Sequence, residues 1–375
     1  MTHGATLRAI RSAMLRPAET RPPWSFRWID AAIARLTRHR RRLSIRRYSP
    51  VPGSVRSLNA SVGRQRSRKG ESVKAYVGIT DTDWFELLRN RQDLEEVNFW
   101  QPGGSRRFRV LSVGELLLFK LHAPRNFIVG GGVFVHSSLL PISLAWASFG
   151  IANGVNSLEE MRRRVLGYRR TAVPDQHDFT VGCILLTQPF FLPEERWIPV
   201  PADWSGNIVQ GKSYDLTLEP GASIYRALQT ALQATEVREL DPVKYGTPTT
   251  IRPRLGQGSF RVLVTDAYGR RCSVTSEPVL PILEAAHIHP YSAGGEHALS
   301  NGLLLRSDLH TLFDRGYLTV TTDGHLEVSS RIREEFNNGH QFYDLHGKKL
   351  RSPSNPSYAP STDNLRWHNE NVYLG

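Results

Sequence analysis

The sequence predicts an α+β protein of two domains, and three observations carry that prediction. At 375 residues the chain is long enough for two domains of ordinary size. From Lys74 to about residue 200 it alternates short apolar segments and tight turns with helical stretches. Beyond residue 280 a strand, a glycine-containing loop, a second strand and a short helix follow one another closely.

In order along the chain, KAYVGI alternates apolar residues as a strand does, and TDTDWFELLRN opens on capping-type residues and reads as a short helix. EVNFWQPGG runs into a turn, and RRFRVLSVGELLLFKLH holds strand-like runs around the Val113-Gly114 turn. NFIVGGGVFVHS is a strand broken by three glycines; with no following Lys-Ser/Thr these do not make a phosphate loop, and a bulge or close backbone approach fits them better. LPISLAWASFG and SLEEMRRRVLGY read as helices, the second opened by a capping box of Ser157 and Glu160. TVGCILLTQPFFL returns to strand, which sets the first domain at 73–200. Residues 201–258 form a connecting region with one amphipathic helix, SIYRALQTALQAT, and a Pro/Gly linker. The second domain, 259–345, begins with the helix-like SFRVLVTDAYGRRC, and 346–375 reads as a mostly irregular strap.

Net charge is +13, but it is unevenly placed. Residues 1–70 carry 16 Arg and one Lys against Glu19 and Asp30, which leaves 31 basic and 33 acidic residues in 71–375. Basicity therefore says nothing about DNA binding by the folded body. The segment 1–72 has the composition of a disordered basic arm or a transit peptide, and the abrupt start of patterned sequence at Val73 also fits a native start there with upstream translation mis-assigned. Two distant cysteines, Cys183 and Cys272, exclude a disulfide framework and a four-cysteine zinc site and suit a reducing cytoplasm. No apolar run is long enough to span a membrane.

The chemistry concentrates in AAHIHPYSAGGEHALSNGLLLRSDLH, residues 285–310. LPILEAAHIHP reads as a strand that sends Glu284 and Ala286 one way and His287 and His289 the other. The loop YSAGGEHALS has Gly294-Gly295 for positive φ, NGLLL is a short buried strand, and SDLHTLFDRG is a helix with Ser307 as N-cap and Gly316 as terminator. His310 and Asp314 share one face of that helix. Phosphodiester hydrolysis needs a base for water and a cation for the charge that develops on the phosphate and leaving oxygen. A neutral imidazole can be that base, a second imidazole beside a carboxylate can hold the ion, and an asparagine amide can fix the geometry.

The order His287, Asn301, His310, set in AHIHP and GGEHALSNGLLL, resembles the HNH nucleases of the ββα-metal superfamily, in particular a zinc-less subgroup of predicted restriction endonucleases. The resemblance implies His287 as general base, His310 as metal ligand and Asn301 as buttress of loop and base, with Mg²⁺ or Mn²⁺, one ion per site. Many relatives carry a metal-binding Asp or His where this chain has Ala286, so the missing ligand is Glu284 or Asp314. Many also have two CxxC pairs; here Cys272/Thr275 and Arg306/Leu309 stand at those places, so no structural zinc is expected and apolar packing must replace it. His289 is an accessory candidate or a chance occurrence, Arg315 a phosphate contact or a helix-end charge, and His297 a solvent-exposed loop residue. His340, His346 and His368 read as structural.

YVGITDTDWFELL, VNFWQPGG and the segments that follow resemble a PUA-like domain of the EVE type. Related domains bind modified bases, which requires extruding a base, sandwiching it and hydrogen-bonding its edge. Trp84, Asn98, Trp100 and Lys120 are the candidates for base or phosphate contact, weighed against the ordinary use of tryptophan in small cores. The expected whole is a modification-dependent, type IV-like restriction endonuclease of the cytoplasm, acting on double-stranded DNA, with two sites and hence a homodimer for cutting both strands. The alternatives are an HNH restriction enzyme that recognises unmodified DNA and a modified-base reader whose nuclease has lost activity.

Overall fold

The computed structural model describes residues 72–91, 93–169, 178–236 and 253–375; the expectations for the basic segment before residue 72 and for most of the Pro/Gly linker lie outside the described residues. The first domain is built on a mixed sheet of seven strands: β1 (Lys74–Thr80), β2 (Glu96–Gln101), β3 (Leu116–Leu121), β4 (Phe127–Pro141), β5 (Thr180–Phe191), β6 (Ile198–Pro199) and β7 (Gly211–Asp215). The order is β2-β5-β4-β3-β1-β7, with β6 paired to the start of β4. Only β1 and β3 run parallel; the other pairs are antiparallel. The edge strand β7 comes from the stretch expected to be a connecting region, so this sheet extends past residue 200.

The sheet is central because both of its faces are covered. Along β5 the side chains alternate between two cores: Ile184 and Leu186 join Trp84, Phe85 and Leu88 of α1 (Thr82–Arg89), whereas Val181, Cys183 and Leu185 join residues of α2 (Ile142–Phe149) and α3 (Leu158–Tyr168). A strand buried on both faces reads as a continuous apolar run, which is what TVGCILLTQPFFL is. The capping box of α3 forms by half: Ser157 Oγ accepts the Glu160 N–H at 3.1 Å, but the Glu160 carboxylate takes the N–H of Asn156 at 2.8 Å. The three glycines of β4 serve a close approach, as expected. A Cβ on Gly130 would stand 2.3 Å from the Phe190 carbonyl oxygen, and the β4–β5 register shifts between Gly131 and Val133. Residues 105–115 contain no strand; Phe108 instead sets its ring edge-on to Tyr76 and gives its N–H to Ser137 Oγ.

After the connecting helix α4 (Gly221–Glu236), the second domain comprises α5 (Gln257–Ala267), β8 (Leu283–His287), β9 (Gly302–Arg306), α6 (Ser307–Asp314), the hairpin β10 (Leu318–Val320) and β11 (Leu326–Val328), α7 (Arg331–Phe336), α8 (His340–Tyr343) and α9 (Thr362–Asn371). The last is a helix within the segment 346–375, which was expected to be mostly irregular. Only Leu365 and His368 of α9 are buried, so its sequence has no apolar stripe from which a helix could be read. Residues 280–282 form a 3-10 turn, and β8 starts only at Leu283. Fold class is α+β throughout.

Helix α5 belongs to both domains. Val262 is buried among the α2 and α3 residues, while Phe260 and Val264, two positions either way, enter the core of the second domain. At its N-terminus the Glu96 carboxylate accepts the N–H groups of Gly258 at 2.6 Å and Ser259 at 2.9 Å, which supplies from another domain the cap that Gly256 cannot. At its other end Asp266 accepts from Ser138 Oγ at 2.7 Å and from Arg270 Nε at 3.1 Å, and pairs with His136 Nε2 at 3.0 Å. Arg270 also donates to the Leu139 carbonyl at 2.6 Å. Burial would raise the Asp266 carboxyl, but the His136 and Ser138 hydrogen bonds and the Arg270 charge outweigh it and hold it down at about 2.

Glu96→Ala and Asp266→Ala should each cost about 2 kcal/mol, the worth of a lost cap or charged hydrogen bonds. Calorimetry of the double variant is expected to resolve two unfolding transitions where the parent chain shows one; a double variant that still melts once, at the parental temperature, would remove these carboxylates as the coupling.

Candidate active site

Strands β8 and β9 pair antiparallel, with Glu284 opposite Leu305, Ala286 opposite Leu303 and His287 opposite Gly302. Helix α6 follows β9 without a loop and packs Leu309 and Phe313 into the core. Its N-cap is Arg306 rather than the expected Ser307, and no side chain caps it. Asp308, inside the first turn, binds Arg306 and the Leu309 N–H instead. Gly302 is where β9 passes beneath α5; a Cβ there would meet Val264 Cγ2 at 2.5 Å and the Phe260 ring at 3.1 Å. Cys272 and Leu309, at positions where many HNH relatives hold zinc, lie together in the apolar core, the substitution anticipated from the sequence.

Asn301 is almost fully buried and ties down the loop between the strands. Its Oδ1 accepts the His289 N–H at 2.8 Å, and its Nδ2 donates to the carbonyls of His289 at 2.8 Å and Glu296 at 2.9 Å. An asparagine suits because one planar group both donates and accepts. The backbone groups it binds are two residues after His287 and one residue before His297, so the amide fixes where both rings start.

His287, half-buried, stacks on Phe260 of α5 with ring centroids 3.9 Å apart and planes 13° apart. Its Nε2 lies 2.9 Å from His297 Nδ1. Burial, then the charges of His297 and His310, push the His287 imidazole down to about 4, so the ring is neutral at physiological pH. A neutral imidazole with one hydrogen-bonded nitrogen has its other nitrogen for proton transfer. His297 is part-buried rather than solvent-exposed, stacked on Tyr291 at 4.4 Å.

His310 has a carboxylate at each ring nitrogen: Glu284 Oε2 lies 2.6 Å from Nδ1 and Asp314 Oδ2 3.3 Å from Nε2. Burial and the Glu284 charge raise the Asp314 carboxyl, against the opposite pull of His310. Both carboxylates suggested from the sequence are therefore beside His310, but at opposite nitrogens. Among the described residues no three His, Cys, Asp or Glu side chains converge on one point. One imidazole and one carboxylate with open positions is nevertheless a donor set that Mg²⁺ or Mn²⁺ accepts, since these ions keep waters and complete their shell with substrate phosphate.

The remaining candidates divide. The His289 ring stacks on Trp367 of α9 at 3.9 Å and its Nε2 is 3.0 Å from the Ala293 carbonyl, so it joins the loop to α9. Arg315 is exposed at the C-cap of α6. Gly316 ends that helix with φ of +78°, as expected. The base-reading candidates are interior: Trp84 packs edge-on to Phe99 and Phe119, and Asn98 is fully buried against Asn153. Trp100 gives its Nε1–H to the Asn153 carbonyl, and Lys120, also buried, donates to Asn126 Oδ1 at 2.6 Å. In this arrangement Trp84, Asn98 and Lys120 present no surface to a base; adjacent polar residues in a sequence do not reveal which side of a strand faces water. Phe260 and Trp367 were not singled out from the sequence and His297 was read there as a solvent-exposed loop residue, because only the loop path and helix docking bring them to the site.

Residues 272–321 match the HNH endonuclease family HNH_2, a span that contains β8, β9 and α6 with Glu284, His287, His297, Asn301, His310 and Asp314. The chain carries an HNH endonuclease domain. Such enzymes are DNA endonucleases that generally use a divalent metal ion. The architecture is a mixed-sheet domain followed by this HNH unit. No curated protein matches the chain. Among solved structures, the ASCH protein of Zymomonas mobilis is 11% identical, with 42% of this chain and 94% of that one covered and a TM-score of 0.28. The modification-dependent restriction endonuclease TagI is 14% identical over 74% of this chain and 75% of its own, at a TM-score of 0.25. The type IV phosphorothioation-dependent restriction endonuclease ScoMcrA is 14% identical over 64% and 52%, at 0.17. Scores at this level carry no argument about this chain. Among the described residues no helix is long and apolar enough to cross a membrane.

The histidine expected to be structural at 368 is so. It is buried, bonded to Thr319 and the Phe313 carbonyl, and burial pushes it down to about 4 from 6.5. A histidine held neutral in the fold lets the unfolded chain bind a proton first, so its contribution is intact above pH 6.5 and is lost as pH falls to 4. The loss amounts to about 3 kcal/mol. His368→Gln, which keeps hydrogen-bonding atoms without titrating there, should flatten that part of the pH profile in denaturant unfolding at pH 7 and pH 4.5; identical profiles for both proteins would rule out the assignment.

Proposed function

We propose that this protein is a modification-dependent, type IV-like restriction endonuclease that hydrolyses double-stranded DNA at the His287 site. The observation that carries the reading is the joint geometry of His287, Asn301 and His310. The neutral imidazole, the buried loop clamp and the carboxylate-flanked second imidazole lie on one strand-loop-strand-helix unit. His287 takes the proton of the attacking water as its oxygen bonds to phosphorus, and the bond from phosphorus to the leaving oxygen breaks, that oxygen being protonated from solvent. His310 and Glu284 would hold Mg²⁺ or Mn²⁺, with Asp314 orienting the imidazole from its other nitrogen. The bound ion supplies charge for the phosphate and leaving oxygen. Glu284, two residues before Ala286 on the same strand, lies beside His310, which supports an active nuclease over an inactive reader.

The first domain would supply the choice of DNA. With Trp84, Asn98 and Lys120 interior, the more accessible place for contact is an open cleft of about 400 Å³ lined by Arg107, Phe108, Arg109, Phe134 and His136. It combines cationic and aromatic side chains, as contact with phosphate and base requires. His136 also touches Asp266, so the cleft adjoins the helix that reaches the nuclease. Two chains acting together in the cytoplasm would cut both strands.

Plasmids that are unmodified or carry 5-methyl- or 5-hydroxymethylcytosine, incubated with Mg²⁺, Mn²⁺ or EDTA, test both halves. Metal-dependent cutting confined to modified DNA is expected, with turnover abolished by His287→Ala while DNA binding persists. Equal cutting of all plasmids would leave a nuclease of unmodified DNA, and turnover by His287→Ala would remove that residue as base.

A further inference from the structure

The mechanism uses one nitrogen of His287 and leaves unexplained what fixes the other. We infer that His297 is the positioning residue of the site: its Nδ1 accepts the Nε2–H of His287, which locks the His287 tautomer with its lone pair on Nδ1, towards the reacting water. The role rests on the reading of His287 as base.

The geometry points one way. His287 Nε2 and His297 Nδ1 are 2.9 Å apart, and among the described residues His287 Nδ1 has no hydrogen-bond partner. Of the two ways to place the shared proton, only donation by His287 leaves its free nitrogen basic. The opposite arrangement would put a proton on Nδ1 and disarm it. The surroundings of His297 favour the first arrangement. Its ring is held flat against Tyr291, with planes 9° apart, so Nδ1 keeps its aim at His287. Burial lowers the His297 pKa against the pull of the Glu95 charge, so this ring is neutral too and its Nδ1 is able to accept. The Phe260 stack prevents the His287 ring from turning its nitrogens round. Tyr291 and His297 of the loop and Phe260 of α5 thus restrict one imidazole to one orientation and one tautomer.

His297 has no route to the reacting atoms except through His287, so its loss should act on turnover and not on substrate affinity. His297→Ala and His297→Leu should lower kcat by about 10–100-fold, the usual effect of losing an orienting partner, with KM little changed. His297→Asn, whose Oδ1 can occupy the place of Nδ1, should restore most of the rate. The readout that a merely structural role would not move is the nitrogen-15 signature of His287 in the metal-free full-length protein. The parent and His297→Asn should show the Nε2–H tautomer, and His297→Leu a mixture. An unchanged tautomer and kcat in His297→Leu, alongside an inactive His287→Ala, overturns this role and leaves His287 as base. Turnover by His287→Ala overturns the base assignment and this role with it.

Discussion

The structure depends on the docking of one helix. Helix α5 is held by a carboxylate at each end, Glu96 at its N-terminus and Asp266 near its C-terminus, and both tie it to the first domain's sheet. Between these points it turns Val262 to one core and Phe260 and Val264 to the other. Because Phe260 is also the surface against which His287 stacks, the position of the base is referred to a helix that the first domain holds. Close-packed contacts of this kind transmit displacement poorly in small increments and tend to have discrete arrangements.

The site itself uses environment to separate the roles of chemically identical groups. His287 has an aromatic stack and a neutral imidazole beside it, so it is kept uncharged. His310 has two carboxylates, at its two nitrogens, and sits on a helix that starts directly from β9. In the proposed mechanism, apolar against acidic surroundings divides base from ion holder. Asn301 makes the division durable by fixing the loop that places His297 against His287, and the Trp367 stack on His289 adds a second restraint from α9.

Much of this was legible in the sequence. The strand-loop-strand-helix unit, the shared helix face of His310 and Asp314, the glycine bulge in β4 and the buried β9 all follow from periodicity and local chemistry, which short-range patterns encode. What was not legible depended on long-range packing. Trp84 stands next to Asp83 in sequence, yet α1 turns it inward with Phe85 and Leu88, and the pleat of β2 turns the polar Asn98 inward. Helix α9 hid because two inward residues make no stripe, and His297 hid because a loop has no period from which to predict its direction. The choice between Glu284 and Asp314 also needed coordinates: both reach His310, but only Glu284 shares the strand that carries His287.

The central claim is that His310 and its carboxylates hold the ion that the HNH chemistry needs. Calorimetric titration of Mn²⁺ into the full-length protein, without DNA, tests it most directly. The account predicts a single site per chain, lost in His310→Ala and weakened more by Glu284→Gln than by Asp314→Asn, where loss of an orienting partner costs roughly 10–100-fold. Binding by His310→Ala that equals the parent's would contradict it.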